Sequence, residues 1–386
     1  MAAPTPPRRI ALLVPDLPDR KALEPYLERI DASHWYSNFG PLVRELEARM
    51  ADLFSADVPA RQHVVSVNNA TLGLELAILA LDLPPGSRVL VPALTFVASA
   101  VAVMRAGCVP VFCDVEPDTW LLSPRIAEDS LRRVRFDAVM PVSTYGCPQD
   151  MKAWDAFHAR TNIPVVVDAA GAYGNQGASE RCALVYSLHA TKSLAAAEGG
   201  LVVSADRAYV ERVKVLANFG IDLSTVSDAT AGSTGLVFHA GTNGKLSEYH
   251  AALGLAALER WNETSTRRVA LHQRYLGLLA ERCPALTLQA RDPRGVYSIF
   301  PVLVPRGAKA ADAWHELGAK GIETRRWYCP ALTEHPAFAR MPFAGELRVA
   351  SDLGERLLAL PFHLLLADED LVRVVEAVAG FADRFR

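Results

Sequence analysis

The stretch RVLVPALTFVASAVAVMRAGCVPVFCDV, from Arg88 to Val115, holds an apolar run, a helix-like segment and a second apolar run in direct succession. Neither run shows the strict alternation of apolar and polar residues that indicates a half-buried strand. Strands that are apolar on both faces are typical of a parallel sheet covered by helices on both sides. The stretch therefore predicts a strand–helix–strand unit of an α/β fold.

The same alternation of short apolar runs and helix-like segments extends from Val64 to Ser204, through VVSV, FDAVMPV, IPVVVDAA, CALVYSL and GGLVVSA. At 386 residues the chain is long for a single core. We predict a large domain over residues 1–262, in which an N-terminal arm precedes a mostly parallel sheet between helices. A smaller C-terminal α+β domain is predicted over residues 263–386.

The chain between the two predicted cores is irregular first and helical afterwards. Residues 220–236 are rich in Ser, Thr, Asp and Gly and predict a mobile loop. KLSEYHAALGLAALERWNE, which starts at Lys245, has apolar and small residues at helical spacing, with Ser247 as a candidate cap. It predicts one long helix that continues through RRVALHQRYLGLLAERC.

Composition argues against several classes of protein. The net charge is −3 and the basic residues are dispersed, so no nucleic-acid partner is expected. The apolar stretch from Val89 to Met104 contains a proline and is shorter than the ~20 residues that span a bilayer, so we expect no membrane segment. The opening MAAPTPPRR lacks the apolar core of a signal peptide, and a cytoplasmic protein is expected.

The six cysteines include no CxxC pair and no metal-ligand spacing. Reduced, buried thiols in a cytosolic protein are therefore the favoured interpretation, and disulfides are the alternative. No metal site is predicted.

A lysine and an aspartate stand out among the apolar runs. Lys192 lies in SLHATKSLAAAEGG, Ser187 to Gly200, between two predicted strands, where a solvated surface lysine is the usual alternative. Asp168 ends the run IPVVVD, at the strand edge where open α/β sheets bind ligands. An unpaired buried carboxylate is costly, so Asp168 is expected to have a cationic or donor partner.

Two further features add an anion site and an aromatic surface. In VNNATLGLEL a strand is followed by a helix that starts near Ala70, Thr71 and Leu72, whose N–H groups could hold a phosphate, although Thr71 could simply cap the helix. Phe96 could stack on a flat ligand or lie in the core. A lysine that forms a Schiff base, a carboxylate for a pyridine nitrogen, a phosphate cradle and an aromatic platform together match pyridoxal phosphate.

The sequence resembles the DegT-type aminotransferases of pyridoxal phosphate fold type I, a family best known for the amination of nucleotide-linked sugars. The similarity covers nearly the whole chain and rests on several segments in the family's order. They are HWYSNFGPLVRELEARMADLF, VPALTFVASAVAVMRAGCVPVFCDVEPDTWLLSP, VDAAGAYG, SLHATKSLAAAEGG, GTNGKLSEYHAALGLAALE and ERLLALPFHLLLADEDLVRVVEAV.

The resemblance implies a role for each matching residue. Lys192 would be the Schiff-base lysine and the proton carrier, Asp168 would pair with the pyridinium nitrogen, and Phe96 would stack on the ring. Ser187 would bind the phosphate with Ala70, Thr71 and Leu72. Asn243 would reach the phosphate of a neighbouring subunit in a homodimer with shared sites, although it could simply stabilise a turn. Substrate contacts would come from Tyr36, Arg325 and His335.

The implied activity is transfer of an amino group from glutamate or glutamine to a keto or aldehyde acceptor, such as a nucleotide-linked keto-sugar. Two alternatives remain: a pyridoxamine-dependent dehydratase, whose family members replace the lysine by histidine, and a non-catalytic or regulatory protein. The chain also departs from the family pattern. Gly171 stands where a polar residue often contacts the cofactor or substrate, and Cys329 and Thr333 replace a tyrosine and a histidine near the substrate.

Overall fold

The computed structural model describes residues 8–225 and 235–385. Within these ranges the helices are α1 Arg20–Ser33, α2 Pro41–Ser55, α3 Ala70–Leu79, α4 Val97–Arg105, α5 Pro124–Leu131, α6 Met151–Thr161, α7 Arg207–Ala217, α8 Glu248–Glu259, α9 Trp261–Arg282, α10 Ala310–Ala319, α11 Arg348–Arg356 and α12 Asp368–Ala382. The strands are β1 His63–Val67, β2 Arg88–Pro92, β3 Val109–Cys113, β4 Ala138–Val139, β5 Val166–Asp168, β6 Ala183–Ser187, β7 Gly200–Ser204, β8 Ile221–Asp222, β9 Leu236–Val237, β10 Thr287–Leu288, β11 Phe300–Leu303 and β12 Leu357–Leu360.

A large, mostly parallel sheet runs through the first domain in the order β1-β7-β6-β5-β4-β2-β3. Two groups of strands, β1-β7-β6-β5 and β3-β2-β4, are joined by parallel bridges from Val139 to Val165 and from Val142 to Asp168. Only β7 runs against its neighbours β1 and β6. The predicted fold class and the predicted strands are confirmed.

The apolar runs are buried on both faces of this sheet, as the sequence pattern indicates. In β2, Leu90 packs into a cluster with Leu46 of α2 and Leu255 of α8 on one face. Val89 and Val91 point to the other face, into a cluster that includes residues of α3 and α4. All three side chains have no exposed surface. Side chains alternate across a strand, so two covered faces require an uninterrupted apolar run. The segment from Val89 to Met104 is thus a buried strand that leads into α4, and no helix in the described ranges is long and apolar enough to cross a membrane.

The C-terminal part forms a three-stranded antiparallel sheet, β10-β11-β12, packed against α9, α10 and α12. The N-terminal segment contributes to this lobe, which the predicted boundaries do not anticipate. Ile10 lies in its apolar cluster and bridges to Ile322, and the carbonyl of Leu12 accepts a hydrogen bond from Phe362 N.

Two local predictions differ from the structure. The long helix after Lys245 is interrupted at Arg260, whose φ of −98° and ψ of 9° separate α8 from α9. The guanidinium of Arg260 binds Asp16 at 2.8 Å, and Ser247 caps α8 as predicted. Of the predicted loop 220–236, residues 226–234 lie outside the described residues, but its ends are paired strands, β8 and β9, rather than loop.

Candidate active site

A cavity of about 740 Å³ lies at the carboxyl ends of the central strands. Its walls come from the segments that follow β1, β2, β4, β5 and β6. Residues 298–299 and 327–328 of the C-terminal part close the remaining side. This is the edge at which open α/β sheets hold ligands.

Lys192 reaches the cavity from a compact turn between β6 and β7. Its backbone N–H donates to the carbonyl of His189 at 2.9 Å, and Ala196 N donates to the carbonyl of Leu188 at 2.7 Å, so the turn folds back on itself. The antiparallel pairing of β6 with β7 places both ends of the turn side by side. Burial lowers the pKa of the Lys192 amine, and the charge of Asp168 partly opposes this shift.

Asp168, the last residue of β5, is buried on the cavity wall. Ser99 Oγ donates to one carboxylate oxygen at 2.7 Å, and Ala170 N donates to the other at 3.1 Å. Burial raises the pKa of Asp168, while these two donors and the amine of Lys192 lower it. The predicted donor and cationic partners of Asp168 are therefore present, and Asp168 and Lys192 interact across one cavity.

The N-terminus of α3 forms another wall. The side chain of Asn69 caps the helix by accepting from Leu72 N at 2.9 Å, so Thr71 is not the cap. Ala70 and Thr71 line the cavity as predicted. Leu72 is placed differently from the prediction: it is not on the wall, and its N–H is already hydrogen-bonded.

Gly200 allows α3 to approach the sheet this closely. A Cβ atom at Gly200 would lie 2.8 Å from Ala70 N and 2.9 Å from Ala70 Cα, both backbone atoms of the helix start. Backbone atoms cannot move aside as a flexible side chain does. The glycine at the start of β7 therefore fixes the position of the helix terminus relative to the lysine turn.

Aromatic rings cover the side of the cavity that faces the C-terminal part. Phe96 is 51% exposed and lines the cavity, so it is not a core residue. Its ring centre lies 5.8 Å from that of Tyr328, which stacks on Tyr145 at 5.0 Å with an interplanar angle of 5°. Tyr145 Oη accepts from Tyr328 N at 2.9 Å and donates to the carbonyl of Trp327. These contacts join the large domain to the segment at 327–328.

Polar side chains at the lysine turn complete the wall. Ser187, at the end of β6, lines the cavity, and its hydroxyl accepts from His189 N at 3.2 Å. His189 also lines the cavity. Its Nδ1 lies 3.0 Å from Thr191 Oγ1, and its Nε2 lies 3.6 Å from a carboxylate oxygen of Glu198.

Besides Leu72, four predicted residues lie outside the cavity wall. Asn243 is exposed, and its carbonyl accepts from Asn68 Nδ2 at 3.4 Å, next to the cavity. Tyr36 is exposed and stacks on Tyr249, the neighbour of the wall residue His250. Arg325 lines a second, adjoining cavity, and His335 is half-buried beside Phe338.

The departures from the family pattern have clear structural settings. Gly171 lines the cavity, and a Cβ there would meet only the backbone N of Gly146 at 3.6 Å, an ordinary contact. Cys329 is half-buried and burial raises the pKa of its thiol to about 12, so it is a poor nucleophile. The other five cysteines are buried, and none of the six is disulfide-bonded in the structure. No cluster of potential metal ligands occurs in the part of the chain that the structure describes.

Several residues at the cavity are not predicted by the sequence analysis. Tyr145 follows β4 at the same sheet edge as Asp168, so the strand-edge rule alone could have indicated it. Ser99 lies one helical turn after Phe96 and could have been found as the donor that Asp168 requires. Trp327 and Tyr328 carry no local signal, because only the packing of the C-terminal part brings them to the cavity.

Comparison with known proteins identifies the family and supports the fold. Residues 19–379 match the DegT/DnrJ/EryC1/StrS aminotransferase family. The chain is 28% identical to dTDP-4-amino-4,6-dideoxy-D-glucose transaminase of Escherichia coli, over 97% of this chain and 99% of that protein. Among solved structures, DesI determined in the presence of its TDP-sugar product has a TM-score of 0.84 and 32% identity, over 98% of this chain and 94% of that one. A Bacillus cereus protein described as a putative PLP-dependent aminotransferase has a TM-score of 0.87 and 26% identity, over 96% of this chain and 100% of that one.

The fold, a large α/β domain with a smaller C-terminal lobe, and the site are thus those of a PLP-dependent aminotransferase. Within that class, the chain belongs to the DegT/DnrJ/EryC1/StrS aminotransferase family.

Proposed function

We propose that this aminotransferase uses pyridoxal phosphate, held between Lys192 and Asp168, to transfer an amino group to a keto-sugar. The observation that carries the proposal is that both residues line one cavity and lie near enough for their charges to interact. When bound, pyridoxal phosphate supplies an aldehyde that takes up amines and a ring that withdraws electrons.

The residues around the cavity fit that cofactor by their chemistry. Asp168 would bind the protonated ring nitrogen, and its two hydrogen-bond donors favour the ionised carboxylate. Phe96 presents an exposed ring to the cavity for stacking. The phosphate would bind at the start of α3, through Ala70 and Thr71, and at Ser187, because a helix N-terminus offers free N–H groups and a favourable dipole.

Lys192 would act as the attachment point and as the carrier of the proton. Its lowered pKa increases the fraction of neutral amine at a given pH, and a neutral amine can both attack an aldehyde and accept a proton. The turn that holds Lys192 is fixed by backbone hydrogen bonds, so the point from which its side chain extends into the cavity is held in place.

A nucleotide-linked keto-sugar is the proposed acceptor, and glutamate or glutamine the proposed amino donor. Two relatives support the acceptor class: the E. coli transaminase named for a dTDP-linked amino sugar, and DesI with its TDP-sugar product. Lys192 disfavours the dehydratase alternative, in which histidine replaces the lysine. The presence of Asp168, Ser187 and Lys192 on one cavity wall disfavours a non-catalytic role.

A homodimer with shared sites is also proposed. Asn243 is exposed beside the cavity, where a second copy could use its amide. Nearby in the sequence, Leu236, Val237 and Phe238 expose more than half of their surface, which an apolar subunit contact would cover. Light scattering would give the subunit number. If sites are shared, mixing Lys192→Ala and Asn243→Ala variants should restore activity through mixed dimers, whereas a monomer or inactive mixtures would contradict the proposal.

The buried free thiols suit a reducing compartment, and we propose the cytoplasm.

The decisive experiment is the Lys192→Ala variant. It should purify folded but without the visible absorbance of lysine-bound cofactor, and it should not transaminate any acceptor. Lys152→Ala, at an exposed lysine of α6, is the matched control and should behave as wild type. Normal turnover by Lys192→Ala would refute the proposal.

A further inference from the structure

The ring of pyridoxal phosphate carries an oxygen for which the cavity must supply a hydrogen-bond donor. The ring hydroxyl and the phosphate arm flank the aldehyde carbon on opposite edges of the ring. When this oxygen is ionised, it is a buried negative charge, and such a charge is costly without a partner. This requirement rests on the proposed function, in which Lys192 and Asp168 hold the two ends of the ring.

The order of the strands indicates which side of the cavity the ring oxygen faces. The proposed phosphate site is formed by the start of α3, which follows β1, and by Ser187 at the end of β6, whereas Asp168 ends β5. The next strand beyond β5 is β4. Because the phosphate arm extends towards β6, the opposite edge of the ring, with its oxygen, faces the segment that follows β4.

Gly171 leaves this side of the cavity without a side chain of its own. It lines the cavity next to the segment after β4, since a Cβ atom at Gly171 would lie 3.6 Å from Gly146 N. No other atom would come within 4 Å of that Cβ among the described residues. A donor for the ring oxygen must therefore come from another wall residue.

The hydroxyl groups of the segment after β4 are already used as donors. Ser143 Oγ donates to Gln176 Oε1 at 2.9 Å. Thr144 Oγ1 and Tyr145 Oη each donate to a backbone carbonyl. A hydroxyl has one proton, so none of these three side chains can also donate to a bound ligand.

Tyr328 brings a further hydroxyl to the same side. Its ring stacks on that of Tyr145, and its Oη has no hydrogen-bond partner within residues 8–225 and 235–385. Burial and the charge of Asp168 both raise the pKa of the phenol. The hydroxyl therefore keeps its proton and is available as a donor.

We propose that Tyr328 Oη donates a hydrogen bond to the ring oxygen of the bound cofactor, in place of a side chain at Gly171. The stack on Tyr145 and the bond from Tyr328 N to Tyr145 Oη, at 2.9 Å, hold the ring on the required side. Ser298 is the alternative donor, because it also lines the cavity and its hydroxyl has no partner among the described residues.

The test is a pH titration of the visible absorbance of the cofactor-loaded enzyme, which reports proton uptake by the lysine-bound cofactor. A donor to the ring oxygen stabilises the deprotonated form. Tyr328→Phe, which keeps the ring and its stack, should therefore raise the midpoint by about one to two pH units, as for the loss of a hydrogen bond to a charged oxygen. Ser298→Ala should keep the wild-type midpoint. So should the matched control Tyr209→Phe, whose hydroxyl donates to the carbonyl of Ala77 at 2.6 Å, away from the cavity.

A second substitution tests whether the lost contact can be restored. The backbone of Gly171 is outside the left-handed region, and the space around its Cβ position admits a side chain. Gly171→Gln in the Tyr328→Phe background places an amide donor on the same side of the cavity. The double variant should bring the midpoint back towards that of wild type.

An unchanged midpoint in Tyr328→Phe would overturn the assignment, and so would an equal shift in Ser298→Ala. A higher KM for the acceptor with an unaltered titration would also overturn it, because Tyr328 would then contact the acceptor instead. These outcomes, observed on cofactor-loaded enzyme, contradict the role of Tyr328 alone. A wild-type enzyme that never takes up the cofactor contradicts the proposed function.

Discussion

Replacing Ser99 by alanine tests how the protein keeps Asp168 ionised. The carboxylate is buried and accepts two hydrogen bonds from the protein, of which the Ser99 hydroxyl provides the shorter, at 2.7 Å. Burial raises the pKa of Asp168 and the serine lowers it. Without the hydroxyl the balance shifts towards the protonated acid, which cannot stabilise a protonated ring nitrogen.

The size of the effect follows from the bond that is lost. A hydrogen bond to a charged group contributes about 1.5–3 kcal/mol net. Since 1.4 kcal/mol is a factor of ten in an equilibrium constant, Ser99→Ala should weaken binding of pyridoxal phosphate about tenfold to a hundredfold. The loss should grow as the pH falls, because the pKa of Asp168 is higher in the variant and more of the carboxyl is protonated.

The assay is a titration of the apoenzyme with pyridoxal phosphate, followed by the visible absorbance of bound cofactor at several pH values. Ser130→Ala, at a buried serine of α5 that does not line the cavity, is the matched control. If Ser99→Ala binds the cofactor as tightly as Ser130→Ala at every pH, the reasoning about Asp168 is wrong.

Two further predictions follow from the geometry. In Asp168→Asn the negative charge that raises the pKa of Lys192 is lost. Competitive labelling of the apoenzyme with acetic anhydride should therefore give a lower titration midpoint for the Lys192 amine than in wild type. An unchanged midpoint would show that the two groups do not interact. Gly200→Ala brings a Cβ to 2.8 Å from Ala70 N and should lower the free energy of unfolding by about 1–3 kcal/mol in urea. Gly277→Ala, with no atom near the new methyl group on α9, should not lower it, and equal effects of the two alanines would argue against the close approach.

The strands could be predicted from sequence because the sheet is covered on both faces. A strand covered on both faces needs apolar residues at every position. Leu90 and Val91, for example, are buried on opposite faces of the sheet. The break at Arg260 could not be predicted, because no glycine or proline marks it and Asp16, the partner of Arg260, lies far away in sequence. The position of Ile10 in the C-terminal lobe could not be predicted either, because it depends on packing against the distant residue Ile322.

Some residues of the site can likewise be predicted from the sequence, and others cannot. Asp168 and Ser187 end their strands and Phe96 lies four residues after β2, so a rule about strand ends is enough to bring them together. Tyr328 reaches the cavity from a segment 160 residues further along than Asp168, through a stacking contact with Tyr145 that has no sequence signature. Leu72 illustrates a different limit of sequence reasoning. The start of α3 is predictable, but the N–H group that the cap occupies depends on the side-chain conformation of Asn69.

The most direct test of the account is to find where the cofactor attaches. The wild-type enzyme, loaded with pyridoxal phosphate, would be reduced with sodium borohydride, digested and analysed by mass spectrometry. We expect the reduced cofactor on the peptide that contains Lys192, in one copy per chain. A label on another lysine, or no label on a protein that transaminates, would contradict the central claim.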